Sequence, residues 1–146
     1  MKRFWKKFLS SFLAVLMVSS ILCTFAAASE RSSAYLSAYR AGITPKSGGK
    51  LVITVDVTGV GRMSEIGAKE IYVYESTDGQ YFRWVATYES SDYPKMMGSG
   101  SIFYEDVITH QGTPGLYYYA KACVYAGNDT GSDERYCNTA IKKAIS

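Results

Sequence analysis

Leu116-Tyr117-Tyr118-Tyr119-Ala120-Lys121-Ala122-Cys123-Val124-Tyr125-Ala126 decides the fold. No Gly or Pro interrupts it, and tyrosine and valine suit an extended chain. A strand sends alternate side chains to opposite faces. Leu116, Tyr118, Ala120, Ala122, Val124 and Ala126 then share one face, and Tyr117, Tyr119, Lys121, Cys123 and Tyr125 the other. The first set is the more apolar, so it faces the core. A strand with a whole apolar face is central in its sheet, and the chain folds as an all-β domain.

The flanking sequence repeats the pattern. Gln111 to Gly115 breaks the chain before this strand, and Gly127 to Asp133 forms a polar loop after it. Leu51, Ile53, Val55 and Val57 alternate with Val52, Thr54 and Asp56, closed by Thr58-Gly59-Val60-Gly61. Ile71 to Glu75 is a further strand. Asp78-Gly79 supplies a tight turn, since Gly tolerates positive φ. Tyr81 to Tyr88 returns with Phe82, Trp84 and Ala86 on one face. Ser90 to Gly100 reads as a loop, Ile102 to Thr109 and Glu134 to Ile145 as strands, and Ala34 to Ala41 as a first strand. About seven strands at this spacing predict one antiparallel β-sandwich.

The start of the chain reads differently. Lys2, Arg3, Lys6 and Lys7 precede an apolar run from Phe12 to Val18, extended by Ile21, Leu22 and Phe25. Ala26-Ala27-Ala28 supplies the small residues a signal peptidase reads. Residues 1–28 are therefore expected to be a cleaved export signal, 29–35 a short N-terminal segment and 36–146 the sandwich. The protein is expected to be secreted, meeting a membrane only during export. Four of the 16 basic residues and none of the 13 acidic ones lie in the signal. The remainder carries 12 against 13, a formal charge of −1, which gives no electrostatic case for nucleic acid.

Val124-Tyr125-Ala126-Gly127-Asn128-Asp129-Thr130-Gly131 resembles the V-x-A-x-N-x-x-G corner of fibronectin type III domains. The resemblance implies an Ig-like sandwich with strands in A-B-C-C′-E-F-G order. The corner tyrosine of that family would fall at Ala120, and the nearest candidate is Tyr118. Trp84 sits on C′ and not on the second strand. A second resemblance covers most of the chain after the signal. It rests on Gly59-x-Gly61-x-Met63, Ile66-Gly67-Ala68, Ile71-x-Val73, Asp78-Gly79, Trp84-Val85-x-Thr87-Tyr88 and Gly112-x-x-Gly115-x-Tyr117-Tyr118. These look like an uncharacterised family of small exported proteins of Gram-positive bacteria. Neither likeness carries catalytic residues over.

Candidate chemistry is sparse. Cys123 and Cys137 remain after the signal leaves with Cys23, and an even count in an exported chain reads as a disulfide. A hairpin centred near Thr130 would set the two cysteines opposite each other, within bridging range. Asn128, Asp129, Asp133 and Glu134 crowd one loop and are candidate calcium ligands, without the spacing of an EF-hand. His110, the only histidine, follows a strand and is expected to be exposed. Glu105 and Asp106 are adjacent, so a strand points them to opposite faces. No cofactor is implied, and no residues are assigned as catalytic.

Thirteen tyrosines, all after residue 28, are the remaining signal. Tyr117, Tyr119 and Tyr125 on an outer face are candidate contacts for a protein or glycan, since tyrosine joins apolar area to a polar tip. Cross-strand tyrosines also stabilise a sheet without binding anything. The expected function is a secreted, non-catalytic binding module. The alternative is a small secreted hydrolase.

Overall fold

The computed structural model describes residues 33–146, so residues 1–28, expected to be an export signal, and Cys23 lie outside the described residues. Nine strands run in chain order: β1 (Leu36–Pro45), β2 (Lys50–Met63), β3 (Glu65–Ser76), β4 (Arg83–Glu89), β5 (Met97–Gly98), β6 (Ser101–Gln111), β7 (Tyr117–Asn128), β8 (Gly131–Asn138) and β9 (Lys142–Lys143). All pairs are antiparallel. One sheet has the order β1-β2-β6. The other has the order β4-β3-β7-β8, with the two-residue β5 on β3 and β9 on β7. With β1, β2, β3, β4, β6, β7 and β8 lettered A, B, C, C′, E, F and G, the sheets are A-B-E and C′-C-F-G. There is no α-helix among the described residues.

The predicted core face of β7 is the observed one. Tyr118, Ala120, Ala122, Val124 and Ala126 are buried, and Leu51, Ile53, Val55 and Val57 of β2 meet them from the other sheet with Ile71 and Val73 of β3. Each fully buried Val, Leu or Ile contributes about 1.5–3 kcal/mol relative to exposure. Tyr118 stands at the corner between β6 and β7. Its hydroxyl accepts from the Thr113 N–H (2.9 Å) and donates to Glu75 Oε2 (2.9 Å). A buried tyrosine near the start of F that bonds back to the preceding backbone is the tyrosine corner of Ig-like sandwiches. Here it lies two residues before Ala120.

Three local readings are corrected. First, β2 does not close at Gly59-Val60-Gly61 but runs on to Met63. Neither glycine takes positive φ, so the chain stays extended, and the Val60 N–H donates to the Tyr35 carbonyl (2.9 Å). Second, the β3–β4 register shifts between Val73↔Ala86 and Tyr74↔Trp84. That irregularity turns Ala86 inward while Trp84 stays outside.

The third correction removes the disulfide. The last hairpin turns on two residues, Asp129 and Thr130, between the paired Asn128 and Gly131. Its centre lies half a residue before Thr130, which slips the pairing by one position. Cys123 opposes Tyr136, and Cys137 opposes Ala122. A one-residue slip sends a side chain to the other face. Cys123 therefore lies on the outer face and Cys137 points toward the core, and both thiols are free. Side chains leaving the sheet on opposite sides cannot be bridged without moving the backbone.

Candidate functional site

The outer face of β4-β3-β7-β8 collects the aromatic residues. Register sets them in rungs. Trp84, Tyr74 and Tyr119 share one rung across three strands, and Thr87, Tyr72, Lys121 and Asn138 share the next. The third holds Glu89, Glu70, Cys123 and Tyr136. Strands lie about 4.8 Å apart, so each rung places its side chains in contact. Tyr74 and Tyr119 stack with centroids 4.8 Å apart and planes 5° off parallel, and Phe82 meets Tyr119 edge-on at 4.9 Å.

The three tyrosines singled out from sequence are all on this face, and each is half-buried. Their ring faces are already occupied. Tyr119 is held by Tyr74 and Phe82. Lys69 Nζ sits 4.1 Å from the Tyr125 centroid, and Lys143 Nζ 5.1 Å from that of Tyr117. Gly79 (φ 74°), in the Asp78-Gly79 turn, backs on to the Tyr117 ring, where an added Cβ would lie 3.5 Å from Cγ. Asp78 fixes that turn by accepting from the Gln80 (2.8 Å) and Tyr81 (3.0 Å) amides. The Tyr81 amide first, then that of Gln80, bring its carboxyl down to about 2.

Exposure, rather than the absence of a lysine contact, sets other aromatics apart. Trp84 is 61% exposed, Tyr136 54% and Tyr81 81%. The Trp84 indole N–H donates to Thr87 Oγ1 (2.9 Å), which ties the ring along β4. Lys121 Nζ lies 4.6 Å from the Tyr136 centroid. Beneath Tyr136, Cys123 is only 3% exposed, and burial pushes its thiol up from the ordinary value. Burial also pushes Cys137 up, to about 11. Tyr72 donates to Glu70, which is the first cause of a hydroxyl raised to about 12. Alternation in the sequence grouped Trp84 with Ala86 and so did not mark its exposure. The sequence carried no signal for which ring faces the lysines would cover.

The acidic loop residues do not converge. Asn128 Oδ1 accepts from the Thr130 amide (2.9 Å) and hydroxyl (2.6 Å). Glu134 pairs with Lys69 on the outer face. Asp133 Oδ2 instead receives the Ser33 hydroxyl and the Ala34 (2.9 Å) and Tyr35 (3.3 Å) amides. The Ser33 hydroxyl first, then those amides, hold its carboxyl below the usual range. Among the described residues, no three His, Cys, Asp or Glu side chains are placed to share a metal ion. The four candidate ligands are thus dispersed: Asn128 caps a turn that includes Asp129, Glu134 pairs with a lysine and Asp133 anchors the N-terminal segment.

His110 also departs from expectation. Alternation continues to the end of β6, so it turns inward with Tyr104, Asp106 and Ile108. Its Nδ1 lies 2.9 Å from the Tyr88 hydroxyl, and its ring 5.9 Å from that of Tyr118. Burial lowers its pKa, opposed by Glu75. Glu75 itself accepts from Arg83 Nε (2.9 Å) and from Tyr118. Arg83 first, then Tyr118, hold its carboxyl below the usual range against burial. Asp106 and Glu105 do take opposite faces, and burial raises the Asp106 carboxyl.

Compared with known proteins, the chain matches no family model and no curated protein.

Proposed function

We propose that this protein is a secreted, non-catalytic binding module of fibronectin type III-like build. It meets its partner, a protein or a glycan at or beyond the cell envelope, through the outer face of β4-β3-β7-β8. The observation that carries this reading is Trp84, an indole 61% exposed yet tied in place by Thr87. A large exposed aromatic already fixed in one geometry loses little freedom when a partner covers it, and such residues dominate binding energy. Tyr136, exposed beside Lys121, offers a second anchor on the same face. The export signal read in residues 1–28 supports placement outside the cell.

The test is capture from envelope and extracellular material by the secreted chain, with Trp84→Ala/Tyr136→Ala alongside. Val107→Ala, on the outer face of the other sheet, is the control. The expected outcome is loss of capture in the double variant alone. Equal capture by all three proteins would remove this face from consideration.

A further inference from the structure

At the end of the sheet where β3 turns toward β4 lies an open depression of about 240 Å³. Its walls are Tyr81, Phe82 and Leu116, and its polar lining includes Glu75, Thr77 and Arg83. We infer that this depression takes one pyranose ring of a neutral glycan, a chemistry that deepens and rests on the binding reading above.

Three observations narrow the ligand to that class. The depression is smaller than the roughly 300–1,000 Å³ that drug-sized ligands fill, and suits a single ring. Its wall is aromatic but its lining is not apolar throughout. Glu75 is held ionised by Arg83 and Tyr118, and a carboxylate with three of its roughly four acceptor positions used still has one to offer. Arg83 spends Nε and Nη2 on Glu75 and keeps further donors on a side chain 79% exposed. A ring bearing both hydroxyls and an apolar C–H face uses all three features together. Finally, one carboxylate and one guanidinium cancel. The site attracts neither an anion nor a cation, and a neutral hydroxyl-rich ligand leaves that ion pair intact. Trp84 lies outside the depression's lining and faces the other side of β4 from Arg83, so its ring reports only a glycan long enough to pass from the depression on to the outer face.

The sequence provides its own reporter. Trp5 lies in the signal, so in the chain cut before Ser29 Trp84 is the only tryptophan. The experiment titrates the secreted protein with a soluble neutral β-glucan and a chito-oligosaccharide, with a polyuronate as the charged comparison. Calorimetry gives affinity, and tryptophan emission gives location. The expected result is binding of a neutral glycan that perturbs Trp84 emission. Tyr81→Ala and Arg83→Gln should each weaken it about tenfold or more, with melting temperature kept and with rescue by Tyr81→Phe. Glycan binding unchanged in both variants but lost in Trp84→Ala overturns the depression and leaves the face standing. Binding of the polyuronate alone, or of protein alone, overturns the neutral-glycan inference while the face again stands. No binding of either neutral glycan overturns the inference too, and capture by the face then decides separately whether the wider reading fails.

Discussion

The two outer faces of the sandwich obey the same alternation and are filled differently. On β1-β2-β6, the outward residues include Arg40, Thr44, Thr54, Asp56, Thr58, Glu105 and Thr109, with Val52, Phe103 and Val107 among them. Its one ion pair joins Arg40 to Asp56. On β4-β3-β7-β8, the outward residues include Tyr72, Tyr74, Trp84, Tyr117, Tyr119, Tyr125 and Tyr136. Both sheets close over the same core, so an aromatic exterior is not needed to make an outer face in this fold. Most of the rings on the aromatic side serve the sheet, through stacking and lysine contacts. Trp84, Tyr81 and Tyr136 stay the more exposed, and in the proposed function they mark the side that meets a partner.

The strongest way to break this comparison is to reverse inside and outside on one strand. Val124→Asp puts an unpaired charge where the side chain is wholly buried, and should cost about 4 kcal/mol or more, enough to prevent folding. Thr54→Asp, on the outer face of the other sheet, should leave the β circular dichroism spectrum intact. A folded Val124→Asp protein would mean that β7 does not supply the core.

Next in size is Tyr118→Phe. The ring still fills the core, but the Thr113 N–H and Glu75 lose a partner. An unsatisfied group of this kind costs about 1–3 kcal/mol, measurable by denaturant titration. The same substitution at Tyr136, on the exposed face, should shift the midpoint far less.

The thiols sharpen the contrast between the faces of one sheet. Mass mapping without reduction should find Cys123 and Cys137 unlinked. Cys137, half-buried, should alkylate before Cys123, and both slowly at neutral pH, because burial keeps each thiol protonated. A linked pair would mean that the hairpin turns on three residues.

The smallest effect is in pH. His110 has a folded pKa below its unfolded value, so the unfolded chain binds the extra proton. Its contribution is full above the unfolded pKa of about 6.5 and declines as pH falls below it. Glu75 and Asp133, both depressed, add their loss at lower pH, through the usual carboxylate range and beneath it. Melting temperatures between pH 7 and 5 should fall for the wild type and fall less for His110→Phe.

Much of the fold was legible because it depends on period and composition. The inward set on β7 follows from alternation alone. What failed depended on single residues. A turn of two residues and not three moved Cys137 across the sheet. One irregularity at Val85 turned Ala86 inward, and two extended glycines let β2 run on. Alternation extended through Thr109 would also have placed His110 inside, had the strand been carried one residue further. The candidate face was legible as a surplus of tyrosine. Which rings would be covered was not, because Lys69 and Lys143 reach Tyr125 and Tyr117 from other strands.

Asp133 has a consequence for how the chain is trimmed. It grips Ser33, Ala34 and Tyr35 from β8, far along the sequence. An exopeptidase working inward meets there a backbone held by a carboxylate, and then β1, hydrogen-bonded to β2. Terminal residues resist digestion only when something ties them down. The last hairpin thus sets where the finished polypeptide begins to be durable, whichever bond the export machinery cuts.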